Sequence, residues 1–290
     1  MEGIIFRGLS LAGIYFLISF GFTFLYGVGG FPNLAIGPIG LAGAYLTATM
    51  LRSSNTVWSA LLGGVGLSIV LGVIIQRFLV EPLYMAVRGG DRGRIFVIYG
   101  TFGLTLLAPA IMLTILRSTM VNVRLPSLGV VKIMRATITG YEILSVILAL
   151  LIFGLAHYIL TKTRAGNRVR AVTQNAPLAG FLGIKVRSIY LVTAAIASVT
   201  AYVGALLWGE IFSLELGSGM MFTLYGLIVA VMGGLGSIYG AVLVSLILGV
   251  TISATSFMVG GVYEHIVTTF ILIIVLIVAP RGLVPTRREI

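Results

Sequence analysis

The 290-residue sequence contains no cysteine and very few charged residues. Without thiols the chain has no disulfide, no thiolate-bound zinc or iron–sulfur cluster, and no cysteine nucleophile. Charged residues make up 9% of the chain and hydrophobic residues 59%, whereas a soluble globular domain has about 25% charged and about 45–50% apolar residues. So few charges cannot cover a water-exposed surface, and most of the surface is therefore expected to face lipid.

Motifs for nucleotide and metal chemistry are missing as well. The sequence has no G-x-x-x-x-G-K-[ST] loop to hold phosphates and no H-E-x-x-H motif to bind zinc. Its two histidines, His157 and His265, fall in different apolar segments. We therefore expect neither an enzyme nor a cofactor, and an integral membrane enzyme is the least favoured interpretation.

The apolar segments also lack acidic residues near their centres. Carriers driven by protons or sodium usually keep ionisable groups inside the membrane, where they hold the coupling ion. A transporter with neither such groups nor a nucleotide site is either a passive pore or is driven by a partner protein.

The apolar runs between charged residues are long enough to be membrane-spanning helices. A helix needs about 20 apolar residues to cross about 30 Å of hydrocarbon. The spacing of the charges predicts an all-α, polytopic transmembrane helix bundle of about eight to ten spanning or discontinuous helices, formed as a single transmembrane domain by residues 1–290. The predicted segments lie near residues 8–26, 34–50, 57–76, 95–116, 142–161, 189–208, 220–232, 238–258 and 264–280.

Two glycine-rich stretches interrupt this pattern, one after the first segment and one between the seventh and eighth. Paired interruptions point to a transport pathway, because non-helical backbone at membrane depth survives only inside protein or beside a water-filled cavity. The alternative is a plain tight turn at the membrane surface. The candidate pathway residues are Gly29, Gly30, Asn33, Gly233, Gly234 and Gly236.

Lysine and arginine give the chain its net charge of +11 and cluster between the apolar segments. The clusters occupy residues 77–94, 162–187 and the tail from Arg281. Because cytoplasmic loops are enriched in these residues, we expect a multi-pass protein of the cell (plasma or inner) membrane with a cytoplasmic C-terminus. Loop 117–141 is also basic but would lie outside, and its proline and glycine suggest a small folded loop. Topology explains the charge better than nucleic-acid binding, which we do not expect.

Small residues recur every four positions in three segments, which places each set on one helix face. Lipid tails are as apolar as leucine, so helices in a membrane associate where small residues let their backbones approach. Helix packing is the expected role, with a subunit interface or a pore lining as alternatives. The sets are Gly64, Ser68 and Gly72; Thr193, Ala197, Ala201, Ala205 and Gly209; and Ala241, Ser245, Gly249 and Ser253.

Loop 162–187 is expected to contain a short amphipathic helix. Asn175 is a suitable helix cap and is followed by a proline two residues later. Leu178, Phe181 and Leu182 then share one helix face. Such a face can enter a groove of a partner protein, lie against lipid headgroups, or pack on the chain's own bundle.

The same loop fits the pattern G-x-x-x-R-A-x-x-x-N-x-x-x-A-x-x-x-G-I. The matching residues are Gly166, Arg170, Ala171, Asn175, Ala179, Gly183 and Ile184. This pattern resembles the cytoplasmic coupling segment of ABC importer permeases of the branched-chain amino acid type, where it precedes a span rich in small residues.

Further stretches match that family in order along nearly the whole chain. Residues 21–45 resemble its first two spans, and Glu81-Pro82-Leu83 resembles the loop after its third span. Residues 231–241 fit its G-G-x-G-S-x-x-G-A segment. The end at 280–283 is similar to the family's R-P-x-G-L, although here the proline precedes the arginine. The chain thus resembles the LivH-type permease, the shorter of two paired permeases.

The resemblance implies a transporter of several parts. This chain would form the pathway with a second permease, either a LivM-type partner or a copy of itself. Two cytoplasmic ABC ATPase subunits would supply energy, and an extracytoplasmic substrate-binding protein would deliver an amino acid such as leucine, isoleucine or valine. The residues expected to couple to the ATPase are Arg170, Asn175, Ala179, Gly183 and Ile184.

Two other transport functions stay open. A urea or amide ABC permease of the same superfamily would look much alike, and its substrate-binding protein would distinguish it. A stand-alone carrier or channel would transport without any ATPase.

Overall fold

The computed structural model describes residues 2–53, 56–86, 90–116, 119–133 and 136–284. The helices are α1 (Glu2–Gly29), α2 (Ile36–Arg52), α3 (Val57–Ile75), α4 (Glu81–Ala86), α5 (Gly90–Leu116), α6 (Gly140–Lys162), α7 (Arg164–Gln174), α8 (Ala176–Phe181), α9 (Val186–Ile211), α10 (Ser218–Gly233), α11 (Ile238–Met258) and α12 (Glu264–Val278). A turn of π-helix, Gln76–Val80, joins α3 to α4, and a turn of 3₁₀-helix, Gly261–Tyr263, precedes α12. The strands are β1 (Met120–Val121), β2 (Val130–Ile133), β3 (Ala136–Thr139) and β4 (Leu214–Glu215).

The predicted all-α membrane bundle is confirmed. In the described part of the chain, six helices are long and apolar enough to cross a bilayer: α1, α3 continued through α4, α5, α6, α9 and α11. Each segment predicted from the charges contains one helix. Among the helices that occupy these predicted segments, the shortest are α2, α10 and α12, with 17, 16 and 15 residues.

Helix α1 lies at the centre of the bundle. Every residue from Ser10 to Thr23 is buried, as expected for a helix that is hydrophobic on all sides. Neighbouring helices come close because α1 carries glycines. A Cβ atom at Gly13 would lie 2.8 Å from the carbonyl oxygen of Ser145 on α6. The corresponding contact of Gly21 is with α9, so α1 touches its neighbours backbone to backbone.

All three small-residue faces are buried. On α3 the buried residues are Ala60, Gly64, Ser68 and Gly72. The five small residues predicted on α9 and the four predicted on α11 are buried as well. The expected packing role is therefore confirmed.

Two of the basic segments meet at one end of the bundle, which we call the basic end. Nε of Arg187, at the start of α9, lies 3.1 Å from the Glu81 carboxylate at the start of α4. Arg77 approaches the same carboxylate to 2.9 Å. Residues 77–86 and 162–187 are therefore neighbours. Arg88, from the same predicted basic cluster, lies outside the described residues.

The last described residues also lie at the basic end. The backbone N–H of Leu283 donates to the carbonyl oxygen of Met232 at 2.8 Å, close to the end of α10. Gly236, three residues after α10, borders the same groove as Thr173 of α7. Three of the predicted basic segments thus share one end, although Arg287 and Arg288 fall in residues 285–290, which the structure does not describe.

The opposite end, which we call the hairpin end, carries the strands. β2 and β3 form an antiparallel hairpin, and β1 also pairs with β4 in the antiparallel direction. The backbone N–H of Leu125 donates to the carboxylate of Glu210 at 3.3 Å, so loop 117–141 packs against the end of α9. The predicted small folded loop is confirmed. Two of its basic residues, Arg117 and Arg135, lie outside the described residues.

The contact between α1 and α11 gives a test of the packing. A Cβ atom at Gly249 would overlap backbone atoms of Gly8 and Ala12. Gly249→Ala is therefore expected to lower the free energy of unfolding by about 1–3 kcal/mol, the usual cost of overpacking. Thermal unfolding of the detergent-purified chain measures this change. Gly154→Ala, where no atom lies within 4 Å of the added Cβ, is the control, and equal shifts in both variants would contradict the close contact.

Candidate functional site

The first glycine-rich stretch breaks the helix path inside the bundle. Helix α1 ends at Gly29 and α2 begins at Ile36. Between them Asn33 is only 3% exposed, and its side-chain oxygen accepts a hydrogen bond from the backbone N–H of Ala35 at 3.0 Å. We call residues 30–35 the Leu34 segment. It is a short piece of non-helical backbone that lies largely within protein.

Three threonines from two other helices bind the backbone of Leu34. Its N–H donates to Oγ1 of Thr101 at 3.2 Å. Its carbonyl oxygen accepts from the hydroxyls of Thr105, at 2.8 Å, and Thr223, at 2.9 Å, each of which shares its one proton with a carbonyl of its own helix. All three threonines are buried, two of them on α5 and one on α10. Because an unpaired backbone group in the hydrocarbon region is costly, these bonds allow the chain to unwind there.

Close contact between α2 and α10 brings one of these donors into place. A Cβ atom at Gly37, in the first turn of α2, would overlap the carbonyl oxygen of Gly219 and the hydroxyl of Thr223. Only glycine leaves room for this approach. The residue is therefore needed for the Leu34 carbonyl to reach its partner on α10.

The second glycine-rich stretch is a tight turn between α10 and α11 at the basic end. Gly234 and Gly236 have φ angles of +100° and +89°, which residues with a side chain rarely adopt. Oγ of Ser237 accepts the backbone N–H of Gly240 at 3.1 Å and caps α11. For both glycine-rich stretches a plain tight turn was the alternative to a transport pathway, and the second stretch has this form.

The end of α1 reaches this turn. A Cβ atom at Gly27 would lie 3.5 Å from the carbonyl oxygen of Gly236. The candidate pathway residues therefore fall into two neighbouring groups: Gly29, Gly30 and Asn33 at the Leu34 segment, and Gly233, Gly234 and Gly236 in the turn beside the end of α1. Their part in a pathway stays a prediction.

Residues of the coupling pattern define where α8 begins and ends. Oδ1 of Asn175 accepts a backbone N–H of the first turn at 3.0 Å, as an N-cap does. At the other end the N–H of Gly183 donates to the carbonyl of Gly180 at 3.0 Å. The N–H of Ile184 donates to the carbonyl of Ala179, also at 3.0 Å. With a φ angle of +83° at Gly183, these bonds form a Schellman motif.

The two faces of α8 differ sharply in exposure. Ala179 is 2% exposed and belongs to a buried cluster with Val172 of α7 and Val28 of α1. Leu178, Phe181 and Leu182 are 55%, 89% and 74% exposed. The apolar face formed by these three residues therefore does not pack on the chain's own bundle. A groove of a partner protein and the lipid headgroups remain as its alternatives. Exposed apolar surface of this kind marks a contact with another protein or with the membrane.

Arg170 lies apart from the other predicted coupling residues. It belongs to α7, its Nη2 donates to Oδ1 of Asn167 at 2.6 Å, and it borders a groove between α1, α7 and α11. Four of the five predicted residues are thus collected at α8, and this one faces a different surface. In the described part of the chain no three metal-ligating side chains come together.

The threonines around Leu34 were missed by the sequence analysis. A hydroxyl near the middle of an apolar segment was the available signal, since such groups bond across helices in membranes. Nothing in the sequence indicates that α5 and α10, more than 100 residues apart, send their hydroxyls to one carbonyl.

Deleting the two donors to the Leu34 carbonyl should be non-additive. In Thr105→Val or Thr223→Val one donor remains, whereas the double variant leaves a buried acceptor unpaired. We expect small losses in the single variants and about 1–3 kcal/mol in the double variant, the cost of an unsatisfied buried group. Thermal unfolding in detergent gives the three values.

A matched control for these variants is Thr114→Val. Thr114 is an exposed residue of α5 whose hydroxyl donates only within its own helix, to Ala110 at 2.8 Å. It should behave as the wild type. A double variant that merely sums two small losses would show that the Leu34 carbonyl does not depend on these hydroxyls.

Comparison with known proteins places the chain in a family. Residues 4–276 match the family model described as branched-chain amino acid transport system, permease component. The high-affinity branched-chain amino acid transport system permease protein BraD of Pseudomonas aeruginosa is 29% identical over 96% of this chain and 93% of its own length. The proteins of that system named LivH in Salmonella typhimurium and Escherichia coli K12 are 28% identical over the same shares.

No solved structure matches this chain. The family model nevertheless covers almost every described helix, and the relatives align over nearly their full length. The chain belongs to the family of permease components of the branched-chain amino acid transport system.

Proposed function

We propose that this chain is the membrane-spanning permease subunit of an ABC importer for branched-chain amino acids. The observation that carries the proposal is α8, a short helix fixed at both ends that holds Phe181 and Leu182 outward at the basic end. The chain has no nucleotide-binding loop, which fits an importer whose ATPase is a separate subunit. The substrate class is taken from the names of the relatives.

The basic end is proposed to face the cytoplasm. Lysine and arginine are enriched in cytoplasmic loops, and three basic segments meet at this end. The C-terminus would then be cytoplasmic and the hairpin end extracytoplasmic. The protein would be an inner-membrane permease, with the whole chain as one domain and residues 162–187 as its coupling loop.

The ATPase subunits are proposed to dock on α8. An amphipathic helix commonly places its apolar face in a groove of its partner, and buried aromatic residues dominate such interfaces. Phe181, at 89% exposure, is the best candidate for the anchor. Asn175, Ala179, Gly183 and Ile184 would act indirectly, by building α8 and seating it on α7 and α9.

The pathway is proposed to form between this chain and a second permease, either a LivM-type partner or a copy of itself. ATP hydrolysis would move α8, and α8 would move the end of α1 through α7, because Ala179 of α8, Val172 of α7 and Val28 of α1 belong to one buried cluster. The Leu34 segment follows directly after that end, so the motion would reach the break in the helix path. A substrate-binding protein at the hairpin end would deliver the amino acid.

Loss of the exposed face of α8 should separate the permease from its ATPase. The double variant Phe181→Glu, Leu182→Glu puts two charges where an apolar contact is proposed, and loss of a central aromatic residue typically costs about 2 kcal/mol or more. We expect at least about thirtyfold less ATPase to co-purify with the tagged permease from mild detergent. Thermal unfolding should stay unchanged, because both side chains are exposed.

The matched control is Val259→Glu, which adds a charge at the opposite end of the bundle on a side chain that is 61% exposed. It should retain the ATPase. If the α8 variant also retains it, α8 is not the docking site. If no ATPase accompanies the wild type, a stand-alone carrier or channel becomes the better explanation.

A further inference from the structure

The groove that Gly236, Thr173 and Arg170 border at the basic end is called the pocket from here on. The proposed transport function does not explain it. It lies between α1, α6, α7 and the start of α11, and has a volume of about 220 Å³. Most of its wall is apolar, from residues such as Phe24, Leu160 and Ile238. Two of its lining residues carry polar groups that bear on its ligand, Arg170 and Thr23.

Arg170 brings an uncompensated positive charge to the pocket. Nη2 of its guanidinium donates to the neutral side chain of Asn167, with 2.6 Å to Oδ1. Two described carboxylates on the basic segments, Glu81 and Asp91, form ion pairs with other arginines. Within the described residues no carboxylate pairs with Arg170, so an anion is the ligand that its charge favours.

Thr23 adds a buried hydrogen-bonding group at the same place. The residue is 0% exposed, and its Oγ1 has no hydrogen-bond partner among the described residues. The other threonines of the pocket differ. The hydroxyls of Thr161 and Thr173 donate to carbonyls of their own helices, at 2.7 and 3.0 Å. Since buried polar groups are nearly always paired, the hydroxyl of Thr23 is available for a ligand.

The surroundings of the pocket indicate the depth of lipid headgroups. Next to Ile238, the exposed side chain of Tyr239 meets His157, with 2.6 Å between its hydroxyl and Nδ1. Tyr158, one residue on, is 61% exposed. Aromatic residues with a polar tip are enriched where hydrocarbon meets the headgroups. The pocket therefore opens at the membrane surface of the basic end.

A second, larger hollow adjoins the pocket and is almost wholly apolar. It lies between α6 and α9, has a volume of about 440 Å³, and shares Phe24, Leu160 and Val169 with the pocket as a common wall. Lysines and arginines of α6 and α7 lie at the basic end of both. A charged pocket beside an apolar hollow matches the two parts of a phospholipid.

We propose that the pocket holds the phosphate headgroup of an anionic phospholipid, with Arg170 facing the phosphate. Basic pockets between transmembrane helices at the cytoplasmic surface are known to bind such headgroups. The guanidinium supplies several donors in a planar fork that fits phosphate oxygens, and the hydroxyl of Thr23 supplies one more. The acyl chains lie along the apolar surface of α6.

A zwitterionic amino acid fits the pocket less well. Its ammonium group would need a carboxylate, and none occurs among the described lining residues. The proposal requires only that the chain spans a bilayer. Its failure would leave the importer function untouched, and loss of the importer function would leave the lipid site standing.

Native mass spectrometry of the full-length chain tests the proposal. The chain is purified in mild detergent and titrated with phosphatidylglycerol, and with phosphatidylcholine as the neutral lipid. Phosphatidylglycerol should bind in preference to phosphatidylcholine. Arg170→Gln should weaken its binding about tenfold, the loss expected for hydrogen bonds to a charged group. Arg170→Lys, which keeps the charge, should retain most of the binding.

Two further variants separate the pocket from the general charge of this end. Arg168→Gln removes an exposed arginine of the same helix that does not line the pocket, and should bind the lipid as the wild type does. Thr23→Val keeps the shape of a buried side chain and removes only the hydroxyl, so it should weaken binding about threefold. Thermal unfolding confirms that each variant is folded.

Several results would overturn the proposal. Equal losses in Arg170→Gln and Arg168→Gln would show that only the overall charge attracts lipid. Equal binding of both lipids would remove the role of the phosphate charge. Displacement of the lipid by millimolar inorganic phosphate would assign the pocket to free phosphate, and displacement by leucine would assign it to the substrate.

Discussion

Every backbone N–H and C=O group inside a bilayer needs a partner within the protein, because hydrocarbon offers none. This constraint bears hardest on the Leu34 segment, where α1 has ended and α2 has not begun. The carbonyl of Leu34 is bound by Thr105 of α5 and Thr223 of α10. These bonds join helices from distant parts of the chain at one interior point. Much of α5 is otherwise exposed and apolar, so its place in the bundle depends strongly on them.

The other helices of the bundle are held together by close contacts between their backbones. Glycines of α1 let α6, α9 and α11 approach it directly, and the small-residue faces of α3, α9 and α11 are buried in the same way. A helix held on several sides is suited to transmit motion along its axis. Its one end contacts α7 and, through Val28, belongs to one buried cluster with α7 and α8, and the Leu34 segment leaves from that same end.

Composition and charge spacing were enough to predict the helices. Charged side chains are costly within a membrane span, so most of them occur between spans and show where each span ends. The coupling loop was also predictable, since Asn175 and Gly183 have local roles at the two ends of α8. The direction of its side chains was not. Ala179 turns inward and Phe181 outward, which follows from how α8 rests on α7 and α9. The threonines that donate to Leu34 could not be predicted either, because the local sequence does not indicate which distant helices contact each other.

We propose that this chain transports branched-chain amino acids only when an ATPase drives it. Uptake of radiolabelled leucine into proteoliposomes tests it, with ATP inside and the substrate-binding protein outside. The complete assembly should accumulate leucine above its external concentration only when ATP, ATPase and binding protein are all present, and urea should not compete. The purified chain alone should give no uptake. Equilibration of leucine by the chain without any partner would contradict the claim and identify a passive carrier or channel.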